Sequence, residues 1–573
     1  MEAGKRTISE IFNGSRVLEI PFFQRSYVWE KGQWSRLLDD MKEISSLSRP
    51  YFMGSVILKQ QETSISATSG DVRTLIDGQQ RLTTLNIFFK VLCLKMGKNN
   101  LFDDDFKLRR EKKIALKHNH NDEKIFNQIV NLETLKEIED LEEATSNIIG
   151  VYNYFKENIN EEDFDYYNII DNIMFVGIDL NRDEDEQQIF DTINSLGVRL
   201  TTAELLKNHL FDRNDLKSYE ENWKAVFEKD SETKAFWDRE ITAGRAKREN
   251  IDLFFYSYLQ IKLQDKQLGL KTEDKKRLGK ISGLFDHFKE FIKISGISRK
   301  ELIQEIKEYA EVYRKNIDYN SIDTELTDEY GIDRINALIF GLDSTVLIPY
   351  VLYVLKNTTQ KVQEDLFEYL ESYIMRRIVV KANNKNYNNL FSDELISKKV
   401  LTKDMFKEII DKKSDKHNAM PSDKDVKNGF KNSKLINKQT TGILYLVESK
   451  IRDRRKHSTA LLGLDRYSLE HLMPKKWENN WEAVDTEEER YNRNSKLLTL
   501  GNLAIITTSL NTSIRDSSWE IKVNGKGTKK GLKEYASGLE TMNDYLSYPE
   551  WDESTIKERA KFLYDKSTNV WKS

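Results

Sequence analysis

Two short stretches concentrate side chains able to do chemistry. The first is Asp77-Gly78-Gln79-Gln80-Arg81, set where the apolar run "RTLI" gives way to the apolar "LTTLNIFF". A turn needs only the glycine, which takes a positive φ without steric cost, so the acid, the two amides and the guanidinium are surplus to a turn. Guanidinium and backbone N–H groups at a helix start bind phosphate well, because the helix dipole and its unpaired donors already point outward. Gly78, Gln79, Gln80 and Arg81 are therefore candidate ligands of a nucleotide's phosphates, with Asp77 placed to orient them or to hold a metal. The second stretch is "YSLEHLMPKKW", in which Glu470 and His471 end a strand-like run and Pro474 follows. Further along, "KLLTLGNLAIITTSLNTSIRDSSWEIK" brings Asn502 in a Gly-Asn-Leu turn, Asn511 at the opening of a helix, and Lys522. Hydrolysis of a phosphodiester needs a base to activate water and a divalent cation to polarise the phosphate. Neutral imidazole titrates in the right range for the first, and carboxylate and amide oxygens suit Mg²⁺ or Mn²⁺ for the second.

Two more blocks accompany the first stretch. "IPFFQRSYVWEKGQW" packs Gln24, Arg25, Tyr27, Trp29 and Trp34 after Pro21, and "FDTINSLGVRLTTAELLKNHLF" sets Asn194, Gly197 and Arg199 at a helix–turn–helix junction with Lys207 and Asn208 beyond it. Most of the aromatics in the former are expected in the core. His118 and His120 in "KHNHND" form a rival metal pair, but their hydrophilic surroundings and the lack of a third ligand favour solvated surface. "GKGTKKG", Gly525 to Gly531, has the look of a phosphate-binding loop and reads instead as a basic loop.

The elements that must position these groups fall into three parts. Residues 1–215 alternate β-type runs ("RVLEIPFF", "YFMGSVILKQ", "VRTLIDG", "DNIMFVGIDL") with helical stretches, an α/β pattern. Residues 216–410 are dominated by helical periodicity, including "AFWDREITAGRAKRENIDLFFYSYLQIKL", and read as a scaffold. Residues 411–573 open with the polar "DKKSDKHNAMPSDKDVKNGFKNSK", expected to be a loop or hinge, and then mix short strands and helices. The chain is 573 residues long, too long for one ordinary core. Its 90 basic and 94 acidic residues give a net charge of only −4, so any nucleic-acid contact must come from a local patch. One cysteine, Cys93, excludes a disulfide framework and thiolate zinc fingers. No apolar run approaches the roughly 20 residues of a membrane helix, and the opening residues lack a signal peptide's apolar stretch, so a cytoplasmic protein is expected.

In their order and spacing, "IPFFQRSYVWE", Asp77–Arg81 and "FDTINSLGVRLTTAELLKN" resemble the amino-terminal domain of the GmrSD family of modification-dependent restriction enzymes. The block from Glu470 to Lys522 resembles the family's carboxy-terminal nuclease. That resemblance implies an α+β multidomain protein: a ParB-like α/β N-terminal domain that binds and hydrolyses NTP and senses DNA modification, a helical middle, and a ββα-metal (HNH) nuclease C-terminal domain. It implies His471 as general base, Glu470 and Asn511 as ligands of Mg²⁺ or Mn²⁺, Asn502 as the loop-stabilising asparagine, and Lys522 as a phosphate contact. Gln24, Arg25, Asn194 and Lys207 join Asp77–Arg81 as nucleotide-site residues, for GTP or ATP. The partner it implies is double-stranded DNA carrying glucosylated hydroxymethylcytosine or phosphorothioate, with no membrane; self-association is left open. Trp519 stands where the family pattern has phenylalanine, and "VNGKGTKKG" replaces a more compact helix, which bears on Lys522 more than on His471. The competing reading is a non-cleaving, nucleotide-switched DNA-binding regulator with an inactive HNH domain.

Overall fold

The computed structural model describes the chain except residues 1, 22–23, 48, 62–70, 120–121, 137–146, 182–200, 212–214, 245, 414–417, 454–459 and 536–537; Asn194 and His120 lie outside the described residues. The chain divides into two compact units, Met1–Trp223 and Lys224–Ser573. It is an α+β protein, and among the described residues no helix is long and apolar enough to cross a membrane.

The first unit is built on a six-stranded mixed sheet in the order β1-β6-β3-β4-β2-β5. Its strands are β1 (Glu2–Thr7), β2 (Arg16–Glu19), β3 (Tyr51–Gln60), β4 (Asp71–Asp77), β5 (Leu116–Lys117) and β6 (Ile173–Leu180). β3 runs antiparallel to β4 and parallel to β6, while β4 runs parallel to β2. Alternation along the strands sorts the side chains by face. Val56, Leu58 and Leu75 join the large core with the helices, whereas Ile57, Ile76, Ile178 and Leu180 form a small cluster of their own. The helix Gln79–Lys95 is buried on nearly every side, through Leu82, Leu85, Phe88, Phe89 and Leu92 among others, so it lies within the core and fixes the end of β4. Burial holds the Cys93 thiol up at about 12.

The second unit is mostly helical, with two additions. A hairpin of β7 (Glu240–Ala243) and β8 (Ala246–Glu249) interrupts a stretch in which helical periodicity dominates the sequence; Gly244, at φ 66°, lies in its turn. A second antiparallel pair, β9 (Tyr467–His471) and β10 (Leu503–Thr507), carries the candidate nuclease residues. Residues 216–410 and 411–573 share this unit. The expected hinge is corrected in part: Asp423–Asn432 is a helix, opened by a Ser422–Asp425 capping box and held down by buried Val426 and Phe430. Two apolar residues one turn apart were enough to anchor it against the helix Glu553–Val570, where Phe430 meets the Tyr564 ring at 6.3 Å.

Buried ionic groups tie the scaffold together. Arg334 grips Glu371 with two bonds of 2.6 Å and also donates to Ser449 Oγ at 2.8 Å, and Trp571 Nε1 donates to Glu371 at 2.9 Å. Arg376 donates to the Trp571 carbonyl at 2.9 Å and Ser372 Oγ to that of Lys572 at 2.5 Å. The chain's last turn is thus bonded into the middle helices.

Candidate functional site

At the end of β4, Gly78 takes φ 102° and begins the helix Gln79–Lys95 without a side-chain cap. A Cβ there would sit 2.9 Å from Val56 Cγ2 and 3.3 Å from the Ser55 carbonyl oxygen, so the position requires glycine twice over. Arg81 Nη2 donates to the Ser55 carbonyl at 2.7 Å and to Asp77 Oδ2 at 3.0 Å, and Ser55 Oγ donates to the same carboxylate oxygen at 2.7 Å. Asp77 therefore holds the guanidinium against the neighbouring strand. Sequence alone did not single out Ser55; its place in "FMGSVIL", one strand across from Asp77, is the only signal it gives.

The two glutamines answer to the segment 24–28. Gln80 Oε1 accepts from Val28 N at 2.9 Å and its Nε2 donates to Ser26 O at 3.3 Å, while Gln79 Nε2 donates to Arg25 O at 3.3 Å. From the other side, Gln24 Nε2 donates to Leu75 O at 3.0 Å. Asn119 Nδ2 donates to Arg25 O at 3.0 Å, and Asp122 Oδ2 accepts from Tyr27 N at 2.7 Å. Part of the polar surplus thus stitches "QRSYV" against the strand–helix junction. Asn119 and Asp122 join the stitching from a segment whose hydrophilic composition hid it. Within the stitched junction, Gln24 Oε1, Arg25 Nε, Gln79 Oε1 and Arg81 Nε are buried without a hydrogen-bond partner. Folded proteins leave few such atoms, so these four are places for ordered water or a polar ligand to complete the bonding. Lys207 lies buried on the helix Thr202–Leu210.

His118 corrects the surface expectation. It is 5% exposed, bonded through Nε2 to Thr83 Oγ1 at 2.9 Å, and set against the Phe126 ring at 4.9 Å. Burial lowers its pKa to about 3, so the imidazole is neutral.

In the second unit, β9 and β10 pair with His471 opposite Leu503, and the helix Thr508–Ile514 follows β10 directly: strand, strand, helix. Asn502 is fully buried and saturated. Its Oδ1 accepts from Met473 N at 2.8 Å and Trp551 Nε1 at 2.9 Å, and its Nδ2 donates to the carbonyls of Met473 at 2.9 Å and Leu497 at 3.0 Å. It fixes the loop that leaves His471. Arg559, from the helix Glu553–Val570, donates to the carbonyls on either side, Gly501 at 2.9 Å and Leu503 at 2.7 Å. Burial lowers the Arg559 pKa to about 10.

Glu470 is 4% exposed and ion-paired with Lys522, whose ammonium also donates to the His471 carbonyl at 2.7 Å. Burial pushes the Glu470 carboxyl up and the Lys522 ammonium down, and each partner's charge opposes the other's shift. Lys522 is itself fully buried, so its ammonium is committed inside the protein. Asn511 Nδ2 donates to Ser468 Oγ at 3.1 Å and Leu469 O at 3.0 Å, which anchors the helix to β9. His471 Nε2 is buried without a partner. Burial, then the charges of Lys475 and Lys522, lower the imidazole's pKa to about 4, which keeps it a neutral base across the physiological range. Among the described residues no group of three or more His, Cys, Asp and Glu gathers as a metal cage. Glu470 and the amide oxygen of Asn511 are nevertheless the donor types a hard cation takes, with water and phosphate completing its shell. Lys526 and Lys529 bridge across Gly527 as a tight turn, so "GKGTKKG" is a basic loop.

Residues 8–211 match the GmrSD restriction endonuclease N-terminal domain, and residues 420–566 match the GmrSD restriction endonucleases' C-terminal domain. The chain belongs to the GmrSD restriction endonuclease family. Both GmrSD domains occur in one chain, the first within Met1–Trp223 and the second within Lys224–Ser573. The stitched Asp77–Arg81 junction falls in the N-terminal GmrSD domain and the β9–β10 pair in the C-terminal one. A comparison with curated proteins gives no match.

Proposed function

We propose that this protein is an NTP-regulated, modification-dependent DNA endonuclease or nickase of anti-phage defence, with a ParB-like sensor and an HNH nuclease in one chain. The observation that carries the reading is the buried, unpartnered Nε2 of a neutral, half-buried His471 at the end of a strand–strand–helix unit, beside a buried carboxylate. His471 accepts a proton at Nε2 from the attacking water. Asn502 positions it by fixing the following loop, and Asn511 ties the helix to the same strand. Mg²⁺ or Mn²⁺, held by Glu470 and Asn511, would supply charge neutralisation at the scissile phosphate. Lys522 keeps the Glu470 carboxylate oriented in the absence of that charge.

In the first unit, the orphaned donors of Arg25 and Arg81 suit phosphate oxygens, and the orphaned acceptors of Gln24 and Gln79 suit N–H donors of a nucleotide, GTP or ATP. Nucleotide binding or hydrolysis at this junction gates cutting of modified duplex DNA. The competing reading, a regulator that binds nucleotide and DNA without cutting, is favoured by one observation: the carboxylate that would hold the metal already has a cation beside it.

Matched plasmids that are unmodified, glucosyl-hydroxymethylated or phosphorothioated decide between the two. They are incubated with Mg²⁺ or Mn²⁺, with and without each NTP, using wild type, His471→Ala and Arg81→Ala. Metal-dependent cutting abolished by His471→Ala supports the nuclease; NTP binding with no cutting under any condition supports the regulator. If Arg81→Ala leaves both NTP turnover and cleavage unchanged, the gating role is wrong.

A further inference from the structure

The second unit carries a concentration of positive charge that the chemistry above does not use. Lys427 and Lys431 lie one turn apart on the helix Asp423–Asn432, and Lys557 and Lys561 one turn apart on the helix Glu553–Val570. Residues four apart share a helix face, so each pair projects the same way, and the four line a groove of about 380 Å³ between the two helices. Lys434 and Lys496 extend the cluster. Among the described residues none of the six has an ion-pair partner. The one acid lining the groove, Glu558, accepts from the Tyr548 hydroxyl at 2.8 Å. Burial, then the like charges of Lys431, Lys557 and Lys434, depress the Lys496 pKa. In a chain with a net charge of only −4, a cluster of like-charged ammonium groups without ion-pair partners, steadied only by Asn432 and the Tyr564 ring, costs folding free energy that a bound polyanion would recover.

The cluster is rigidly joined to the candidate nuclease. The helix bearing Lys557 and Lys561 also bears Arg559, which holds the Gly501 and Leu503 carbonyls around Asn502. The backbone of Lys434 pairs with Thr499, and Lys496 Nζ donates to Asn432 Oδ1 at 3.2 Å. A phosphate gripped by these lysines is therefore referenced to the loop that fixes His471. We propose that the groove between helices Asp423–Asn432 and Glu553–Val570 is a docking surface for the phosphodiester backbone of duplex DNA, which registers the duplex relative to His471. The inference rests on the endonuclease reading for its choice of polyanion. Lysines on helix faces read phosphate and not bases, so the surface adds affinity without sequence preference.

The test uses the full chain carrying His471→Ala, so that binding is read without cutting, and a labelled unmodified duplex followed by anisotropy across a salt series. Lys431→Gln/Lys557→Gln is compared with Lys276→Gln/Lys300→Gln, which removes equal charge from exposed positions elsewhere in the unit. Removing two phosphate contacts is expected to weaken binding on the order of tenfold and to lower the salt slope by about 2, with the control pair near the parent. Circular dichroism melts of both variants confirm that folding is unchanged. Equal effects of the two pairs overturn the proposal, as does lysine-dependent binding confined to single-stranded RNA. Wild-type chain on the cleavable plasmid is assayed in parallel. If it cuts only with His471 present and the lysine pair does not matter, the docking surface fails and the nuclease stands. If the lysines matter and nothing is cut, the docking surface stands and the nuclease fails.

Discussion

His118 and His471 are both driven neutral by burial, to about 3 and about 4, but in opposite service. Each keeps one unpartnered ring nitrogen, but His471 offers its Nε2 at the end of β9, whereas His118 spends its Nε2 on Thr83 and turns its Nδ1 toward Asp122, 3.7 Å away inside the core. For His118 the consequence is a stability term. Its folded pKa is depressed below the unfolded value near 6.5, so the unfolded chain binds the extra proton between the two values. The stabilisation is present above pH 6.5 and is lost as pH falls toward 3, at about 1.4 kcal/mol per pH unit. Acid unfolding of the first unit, followed by hydrogen exchange, is expected to be shallower over that window in His118→Gln than in wild type. Residues with chemistry were legible in sequence where the chemistry itself forced unusual neighbours, as in Asp77–Arg81 and Glu470–His471. His118 was not, because its burial is decided by Thr83, 35 residues away, and by Phe126, while its own neighbours are hydrophilic. The partner of Lys522 was equally hidden: 52 residues separate it from Glu470.

Elements were legible in proportion to how local their causes are. β3, β4 and β6 announce themselves by apolar runs, and the Gly78 turn by its glycine. The helix Asp423–Asn432 escaped notice because Val426 and Phe430 are all its apolar content, and what stabilises it is a neighbour from the far end of the chain. The hairpin β7–β8 was masked by helix-compatible composition around Gly244. The element contact on which the candidate nuclease site leans hardest is the crossing of the helix Glu553–Val570 over Gly501. A Cβ at 501 would run into the Ile556 carbonyl oxygen, a backbone atom that cannot step aside without moving the helix. Gly501→Ala is therefore expected to destabilise the second unit by about 3 kcal/mol, at the severe end for overpacking. It should also shift Asn502 enough to reduce cleavage more than a variant of equal stability loss elsewhere. Urea unfolding with a parallel cleavage assay separates the two effects.

For the molecule as a whole, the scaffold and the nuclease block are held by one buried ionic network. Arg334 donates two hydrogen bonds to the Glu371 carboxylate, and Trp571 donates a third to the same group. Removing one partner of a buried pair leaves the other's charge uncompensated, which costs about 3 to 5 kcal/mol. Glu371→Gln is expected to lower the stability of the second unit by that amount and to leave that of the first unit unchanged, as measured by hydrogen exchange resolved over the two units. The sequence could not show this network, because Arg334, Glu371 and Trp571 each look unremarkable among charged and aromatic neighbours.

The pinned last turn also sets what can be transplanted. An engineer exchanging cutting modules between such chains would be drawn to cut near residue 411, where the polar stretch begins. That cut parts Trp571 from Glu371, and the carbonyls of Trp571 and Lys572 from Arg376 and Ser372. A cut ahead of Leu216, where the helical run Leu216–Phe227 begins, carries all of those partners in one piece and breaks no helix, so the portable cassette starts there and not at residue 411.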